Sequence, residues 1–265
     1  MISKMIEIKP NEFAVVQKLL FEECGISLSD SKKSMVMTRL FKRLEFYKCK
    51  SYADYLKIVQ LSITEKTEFI NALSTNETYF FREQAHFDFL EDLAKQSSKL
   101  KVWSAAASMG AEAYTISFIL DHYLESNNWE VLGSDINTDV LSVAKKGLYP
   151  FAWSDKIPQP YKSKYCLKGH GKYENKMLID RHLANKVGFF KHNLLESNEL
   201  LGEFDVIFLR NVLLYFSEET KIKVLTNLVK NIKMGGYLII SMTEIFNNSA
   251  IPQLQFLKHN IYKKV

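Results

Sequence analysis

The side chains that could act on a ligand fall where apolar runs end. Asp135 closes the run VLGSDI, about 25 residues beyond a strand–turn–helix pattern at 101–117 (KVWSAAASMGAEAYTIS), and an acid so placed after a second strand suits the hydroxyls of a ribose. Asp135 equally suits the N-cap of the next helix, a role Asn137 or Thr138 can fill. Glu112 lies in the first helical turn of that pattern. There a carboxylate gains roughly 0.3–1 kcal/mol from the helix dipole, or meets a cationic or hydroxyl-bearing ligand. Arg82 follows Tyr79, Phe80 and Phe81 in STNETYFFRE. It is either a solvated side chain or a fork for a carboxylate. Arg210 and Asn211 end the apolar strand of FDVIFLRNVLLYF, where polar groups face a crevice or cap the chain, and Tyr215 follows as a crevice residue or a core tyrosine with its hydroxyl paired. No nucleophile–base–acid set stands out.

The pattern at 101–117 must form the site itself. A strand turning directly into a helix presents unpaired N–H groups, and Ala105, Ala106, Ala107 and Gly110 are small enough to let a ligand approach. One glycine matches neither a P-loop nor a dinucleotide fingerprint, so the expected ligand is a nucleoside-bearing cofactor without a phosphate cradle. Any α/β protein also contains such turns.

The rest of the chain positions these groups. Helical periodicity marks 12–24 (Phe13, Val16, Leu19 and Leu20 on one face), ended by Gly25. A second helix at 31–47, capped by Ser29 or Ser31, turns Met35, Val36, Leu40 and Leu44 inward. Shorter helices follow at 51–60 and 64–73. Without a strand pattern before residue 75, residues 1–73 read as an all-helical domain, and 74–96 as a linker and connecting helix. From 97 to 265 the pattern is α/β, with strands at 101–106, 130–135, 187–192, 204–210 and 236–242 and helices at 111–125, 138–146 and 218–232. That alternation predicts a mostly parallel, doubly wound sheet, closed by a hairpin strand within 254–265. Residues 148–186 interrupt it with Pro150, Pro158, Pro160, Gly169 and Gly171 and no crossover helix. They read as a small antiparallel β-subdomain of two short strands, with His170 a turn residue.

The totals exclude several classes. A chain of 265 residues, 47% hydrophobic and 25% charged, is ordinary for a soluble globular protein. Cys24, Cys49 and Cys166 are too scattered for a disulfide framework, and neither they nor the six histidines show metal-ligand spacing, so no metal is expected. No apolar run spans a membrane and no signal peptide is evident, so the expected location is the cytoplasm. The net charge of +5 is concentrated: 32–50 holds seven Lys or Arg against Glu45 alone. Such a face calls for an acidic partner, and it lacks the interleaved aromatics of a single-strand nucleic-acid platform.

Taken in order, the segments GISLSDSKKSMVMTRLFKRL, TNETYFFRE, SAAASMGAEAYTI, GSDINTDVLSVAKKGLY and FDVIFLRNVLLYFSEET resemble the CheR family, the chemoreceptor methyltransferases. The resemblance covers nearly the whole chain. It implies an N-terminal helical domain, a class I S-adenosylmethionine-dependent methyltransferase domain (Rossmann-like) and an inserted β-subdomain. It implies transfer of a methyl group from S-adenosylmethionine, leaving S-adenosylhomocysteine, to glutamate side chains of chemoreceptors. Asn76, Thr78 and Arg82 would lie at the cofactor's amino-acid end and the transfer site. Glu112 and Asp135 would hold the cofactor, Asn193 and Leu194 would flank its adenine, and Arg210 and Asn211 would close the pocket. Arg82 and Tyr215 would be the catalytic positions. The receptor's methylation helices would meet Lys32, Lys33, Arg39, Lys42 and Arg43, and the protein would act as a monomer, with neither nucleic acid nor membrane insertion. The alternatives are a methyltransferase for another protein or a small molecule, or a cofactor-binding module without catalysis. The usual G-E-E-P-Y of the family is Gly110-Ala111-Glu112-Ala113-Tyr114 here.

Overall fold

Capping chemistry sets the helices of the first part of the chain. The computed structural model describes residues 6–125, 127–196 and 199–265. Pro10 opens α1 (Pro10–Cys24); Glu12 accepts from the Lys9 N–H at 2.8 Å, and Gly25 ends the helix at φ 75°. α2 (Lys33–Phe46) is entered through a 3-10 turn at Asp30–Lys32. Neither Ser29 nor Ser31 caps it, against the sequence expectation. Their hydroxyls bond each other at 2.8 Å, and the turn pairs the Lys32 N–H with the Ser29 carbonyl at 3.0 Å instead. Ser51 and Ser62 do cap α3 (Tyr52–Leu61) and α4 (Ile63–Leu73), accepting from the N–H groups of Asp54 and Glu65. Val16, Leu20, Val36, Leu40, Tyr55 and Phe69 are fully buried among these helices.

The Glu65 side chain lies in that interior, 1% exposed. The Glu65 carboxylate accepts from Arg43 through both oxygens, from Tyr47 Oη at 2.9 Å and from Tyr55 Oη at 2.8 Å. Burial opposes the charge, but these donors outweigh it and hold Glu65 below the usual carboxylate pKa. Arg39 donates to the Leu73 and Ser74 carbonyls at 2.9 and 2.8 Å. Two arginines that the sequence assigned to a partner-facing surface are thus bonded within the helical unit, to α4 and the residue after it, whereas Lys32 and Lys42 are exposed. Met1–Thr75 forms one compact unit together with Tyr215–Ser217: Ile26 bridges Phe216, and the Ser27 N–H donates to the Tyr215 carbonyl at 2.8 Å.

The second unit comprises Asn76–Leu214 and Glu218–Val265. After α5 (Gln84–Gln96) come β1 (Leu100–Ser104), α6 (Ala111–Tyr123), β2 (Trp129–Asp135) and α7 (Thr138–Lys146). The inserted segment holds β3 (Leu148–Pro150), α8 (Gln159–Tyr165), β4 (Cys166–Lys168), β5 (Lys176–Ile179) and α9 (Arg181–Ala184). β6 (Val187–Lys191), β7 (Phe204–Leu209), α10 (Glu218–Lys230), β8 (Ile232–Ile240), β9 (Leu254–Lys258) and β10 (Ile261–Lys264) complete the chain. The main sheet runs β6-β2-β1-β7-β8-β10-β9, parallel from β6 to β8, with the C-terminal hairpin antiparallel. This is the mostly parallel sheet that the alternation predicted.

The insertion is a three-stranded antiparallel sheet, β3-β5-β4, rather than two strands, and it contains helices. The prolines around 158–160 read as loop, but Pro160 sits in the first turn of α8, where its missing N–H is harmless. Aromatic rings join this insertion to the chain around Arg82. Phe80 stacks on Phe118 of α6 (ring centroids 5.9 Å) and meets Tyr149 edge-on at 5.3 Å, while Phe81 stacks on Tyr161 at 5.4 Å.

Removing the Arg43 fork would leave the Glu65 charge buried with only two phenols. Arg43→Ala should lower unfolding free energy by about 3 kcal/mol, read by denaturant melts followed by circular dichroism. A loss of only a few tenths would mean that the tyrosines suffice.

Candidate functional site

The chain reverses its winding at β1. It runs from β1 through β2 to β6 on one side and returns to β7 and β8 on the other. The crevice beyond the carboxyl ends of β1 and β7 is therefore the switch point at which open α/β sheets bind ligands. The turn after β1 stays tied to both neighbours: the Ala105 N–H donates to the Phe208 carbonyl and the Ala107 N–H to the Ser134 carbonyl, each at 2.8 Å.

Asp135 organises this turn. One carboxylate oxygen accepts from the Ser108 N–H at 2.8 Å and the other from the Asn137 N–H at 2.9 Å. Asn137, not Asp135, caps α7. Burial pushes the Asp135 pKa up against the N–H groups of Asn137, Ser108 and Ile136. A carboxylate offers about four acceptor sites, so beyond these backbone N–H groups Asp135 still has room for a donating hydroxyl. Ser108, at φ 49°, donates its hydroxyl to the Asn76 carbonyl at 3.0 Å, and the His192 N–H donates to the Asp135 carbonyl at 3.0 Å. Asn76, Asp135 and the Asn193–Leu194 segment are thereby brought to one place. Leu194 is buried, and the Asn193 side chain accepts from the Leu195 N–H at 3.2 Å.

The small residues do less than the sequence suggested. Ala105, Ala107 and Gly110 are buried against protein, and only Ala106 is half-buried. A Cβ on Gly110 would lie 2.8 Å from the Ala144 Cβ, so this glycine serves its φ of 88° and the contact with α7, not an approaching ligand.

A second cluster gathers Arg82, Glu112, Arg210 and Asn211. Arg210, with its side chain 2% exposed, donates to Glu112 at 2.7 Å, pairs with Glu83 at 3.1 Å and donates to the Arg82 carbonyl. Glu112 also accepts from Ser104 Oγ at 2.7 Å. Glu112 and Arg210 thus bond each other, and Arg210 lies over the Phe87 ring at 5.4 Å. Arg82 turns the other way: it donates to the Glu77 carbonyl at 2.9 Å and lies 5.6 Å from the centre of the Tyr79 ring, with half-buried Thr78 between them in the chain. Tyr215 belongs to the helical unit, where its carbonyl accepts from the Ser27 N–H at 2.8 Å.

Two acids escaped the sequence reading. Glu83, in the left-handed region at φ 61°, accepts from Ser241 Oγ at 2.7 Å and the Met242 N–H at 3.1 Å. Burial works against its charge, but Ser241, Arg210 and Met242 hold its pKa below the usual range. Glu244 accepts from the N–H groups of Asn211, Ser241 and Leu214 at 3.0, 3.1 and 3.2 Å, and burial raises its pKa. Neither sits in a recognisable spacing. The only signal was a charge beside an apolar run, in FFRE and in SMTEIF.

With this geometry in view, residues 76–262 match the family description "CheR methyltransferase, SAM binding domain", and residues 11–74 match "CheR methyltransferase, all-alpha domain". The chain is 37% identical to "Chemotaxis protein methyltransferase 2" of Pseudomonas aeruginosa, over 90% of this chain and 88% of that one. It is 35% identical to "Chemotaxis protein methyltransferase" of Salmonella typhimurium, over 93% and 88%. It is 32% identical to the protein of the same name from Borreliella burgdorferi, over 98% and 96%.

Beside the second cluster, His86 adds an acid response of its own. This fully buried imidazole, bonded to the His259 carbonyl at 2.7 Å, has its pKa lowered from 6.5 to about 4 by burial and then by Arg210. Its folded pKa is depressed, so the unfolded chain binds the proton first. The stability from neutral His86 is present above about 6.5 and is lost as pH falls toward about 4. His86→Phe should flatten that part of the pH–stability curve in thermal melts. An unchanged slope would assign the acid loss elsewhere.

Proposed function

The chain belongs to the CheR methyltransferase family, with S-adenosylmethionine as its cofactor, and from that premise we propose that it methylates glutamate carboxylates of chemoreceptors, forming methyl esters in sensory adaptation. The observation that carries the cofactor's place is Asp135 at the end of the second strand, beside the switch point, within the matched cofactor-binding domain. Its carboxylate would take the ribose hydroxyls, Asn193 and Leu194 would flank the adenine, and Asn76 and Thr78 would lie toward the amino-acid end. When bound, S-adenosylmethionine supplies a methyl group on a positively charged sulfur.

The chain's own residues need do little proton chemistry. A glutamate side chain with a pKa of roughly 4.3 is already an anion near neutrality, so no general base is required to ready it. This agrees with the absence of a nucleophile–base pair among the proposed site residues. Arg82 would orient the substrate carboxylate, and the resemblance adds Tyr215 as a second positioning group. Orientation can supply roughly 7–11 kcal/mol of a barrier, and excluding water favours the union of an anion with a cation. A methyltransferase for an amine or a hydroxyl would need a base, and the cluster's carboxylates Glu83 and Glu112 are both engaged by Arg210.

No helix among the described residues is long and apolar enough to cross a membrane. The protein would reach receptors from the cytoplasm, through lysines of the helical unit. Lys32 and Lys42 carry that role rather than Arg39 and Arg43, whose guanidinium groups bond within the unit.

Turnover of methyl-labelled S-adenosylmethionine with a receptor cytoplasmic fragment should give label released as methanol in mild alkali; alkali-stable label would mean an amine or ether product. Asp135→Ala should weaken cofactor binding about tenfold or more by calorimetry, and unchanged affinity would remove the ribose assignment. Lys32→Glu with Lys42→Glu should weaken receptor binding and steepen its loss with salt while cofactor affinity holds. Equal receptor binding would reject the acidic-partner reading.

A further inference from the structure

Glu83 follows Arg82 directly yet points away from it, into the polar cluster. Its backbone occupies a left-handed conformation (φ 61°, ψ 69°) that is strained for a residue with a Cβ, so the surrounding structure must hold it there. Three groups do so: Ser241 Oγ, the Met242 N–H and Arg210. Each leads to another proposed site residue. Arg210 donates to the carbonyl of Arg82 itself and pairs with Glu112. Ser241 Oγ also accepts from Asn211 Nδ2 at 2.8 Å. The Glu83 carboxylate is therefore the point at which the backbone of Arg82, the buried guanidinium and the ends of β7 and β8 are joined.

We infer that Glu83 is a positioning residue for methyl transfer: it fixes Arg210 and the peptide that carries Arg82, and so sets where the Arg82 guanidinium meets the substrate carboxylate. The inference rests on the proposed role of Arg82. The geometry makes the dependence specific. Among the described residues the Arg82 side chain donates to the Glu77 carbonyl and lies over the Tyr79 ring, both within its own segment, so its aim is set largely by its own main chain. That main chain is bonded through its carbonyl to Arg210, and Arg210 is shared between Glu83 and Glu112. Without the Glu83 charge the guanidinium is free to settle on Glu112, and the Arg82 peptide loses its fixed donor. Glu83 touches neither substrate nor cofactor in this reading; it acts through its neighbours.

A double-mutant cycle tests this with the full chain, a receptor cytoplasmic fragment and methyl-labelled S-adenosylmethionine. Glu83→Gln should lower kcat about tenfold while cofactor affinity by calorimetry stays within about twofold, and in an Arg82→Ala background it should lower kcat no further. A residue that only stabilises the fold would lower kcat by the same factor in both backgrounds. Ser241→Ala, which removes one Glu83 donor without changing charge, provides a milder second variant and should show the same non-additivity with a smaller single effect. If Arg82→Ala is impaired but Glu83→Gln works normally, or if the two losses multiply, the positioning role is wrong and Arg82 keeps its own. If Arg82→Ala itself has full activity, the reading of Arg82 fails and takes this inference with it.

Discussion

The arrangement around the switch point depends on burying one guanidinium. Arg210 follows the last residue of β7 and has almost no exposed surface. A cation so placed is tolerated only where its donors are met, since removing it from water costs several kcal/mol before any pairing is counted. Glu112 from α6, Glu83 from the start of α5 and the carbonyl of Arg82 meet it. Those groups lie far apart in sequence, so the requirement to satisfy one buried charge draws a loop, two helix starts and a strand end together. Hydrophobic burial alone specifies no such register, because apolar contacts are not directional.

Much of the fold could be read from the sequence because its signals are local. Alternation of apolar strands with amphipathic helices gave the parallel sheet, and Gly25, Ser51 and Ser62 marked helix ends by chemistry acting over a few residues. The insertion shows the limit: prolines concealed α8, because a proline permitted in a helix's first turn looks the same in sequence as one that breaks a helix. The candidate site was legible in part. Asp135 stands out in the sequence by its place after a strand, which topology makes meaningful. Glu83 and Glu244 were not found, because their partners Ser241, Arg210 and Asn211 are distant in the chain and only folding brings them near.

Charge counting had the same blind spot. The run at 32–50 is strongly basic by composition, but two of its arginines are bonded inside their own unit, one to Glu65 and one to the carbonyls that end α4. The forked guanidinium suits such internal work, whereas the lysines keep their compact, strongly hydrated charges in solvent. A positive surface inferred from sequence is accordingly weaker than its count of cations.

The segment Tyr215–Ser217 packs with the N-terminal helices although it follows β7 in the chain. During synthesis those helices emerge first, but the strand-like partner of Ile26 leaves the ribosome only after most of the methyltransferase fold has been made. A nascent chain stalled, or a protease fragment cut, just after Thr75 would thus present a helical unit lacking its final piece. The two parts of this protein are separable on paper at one point in the sequence, whereas the polypeptide crosses that line three times.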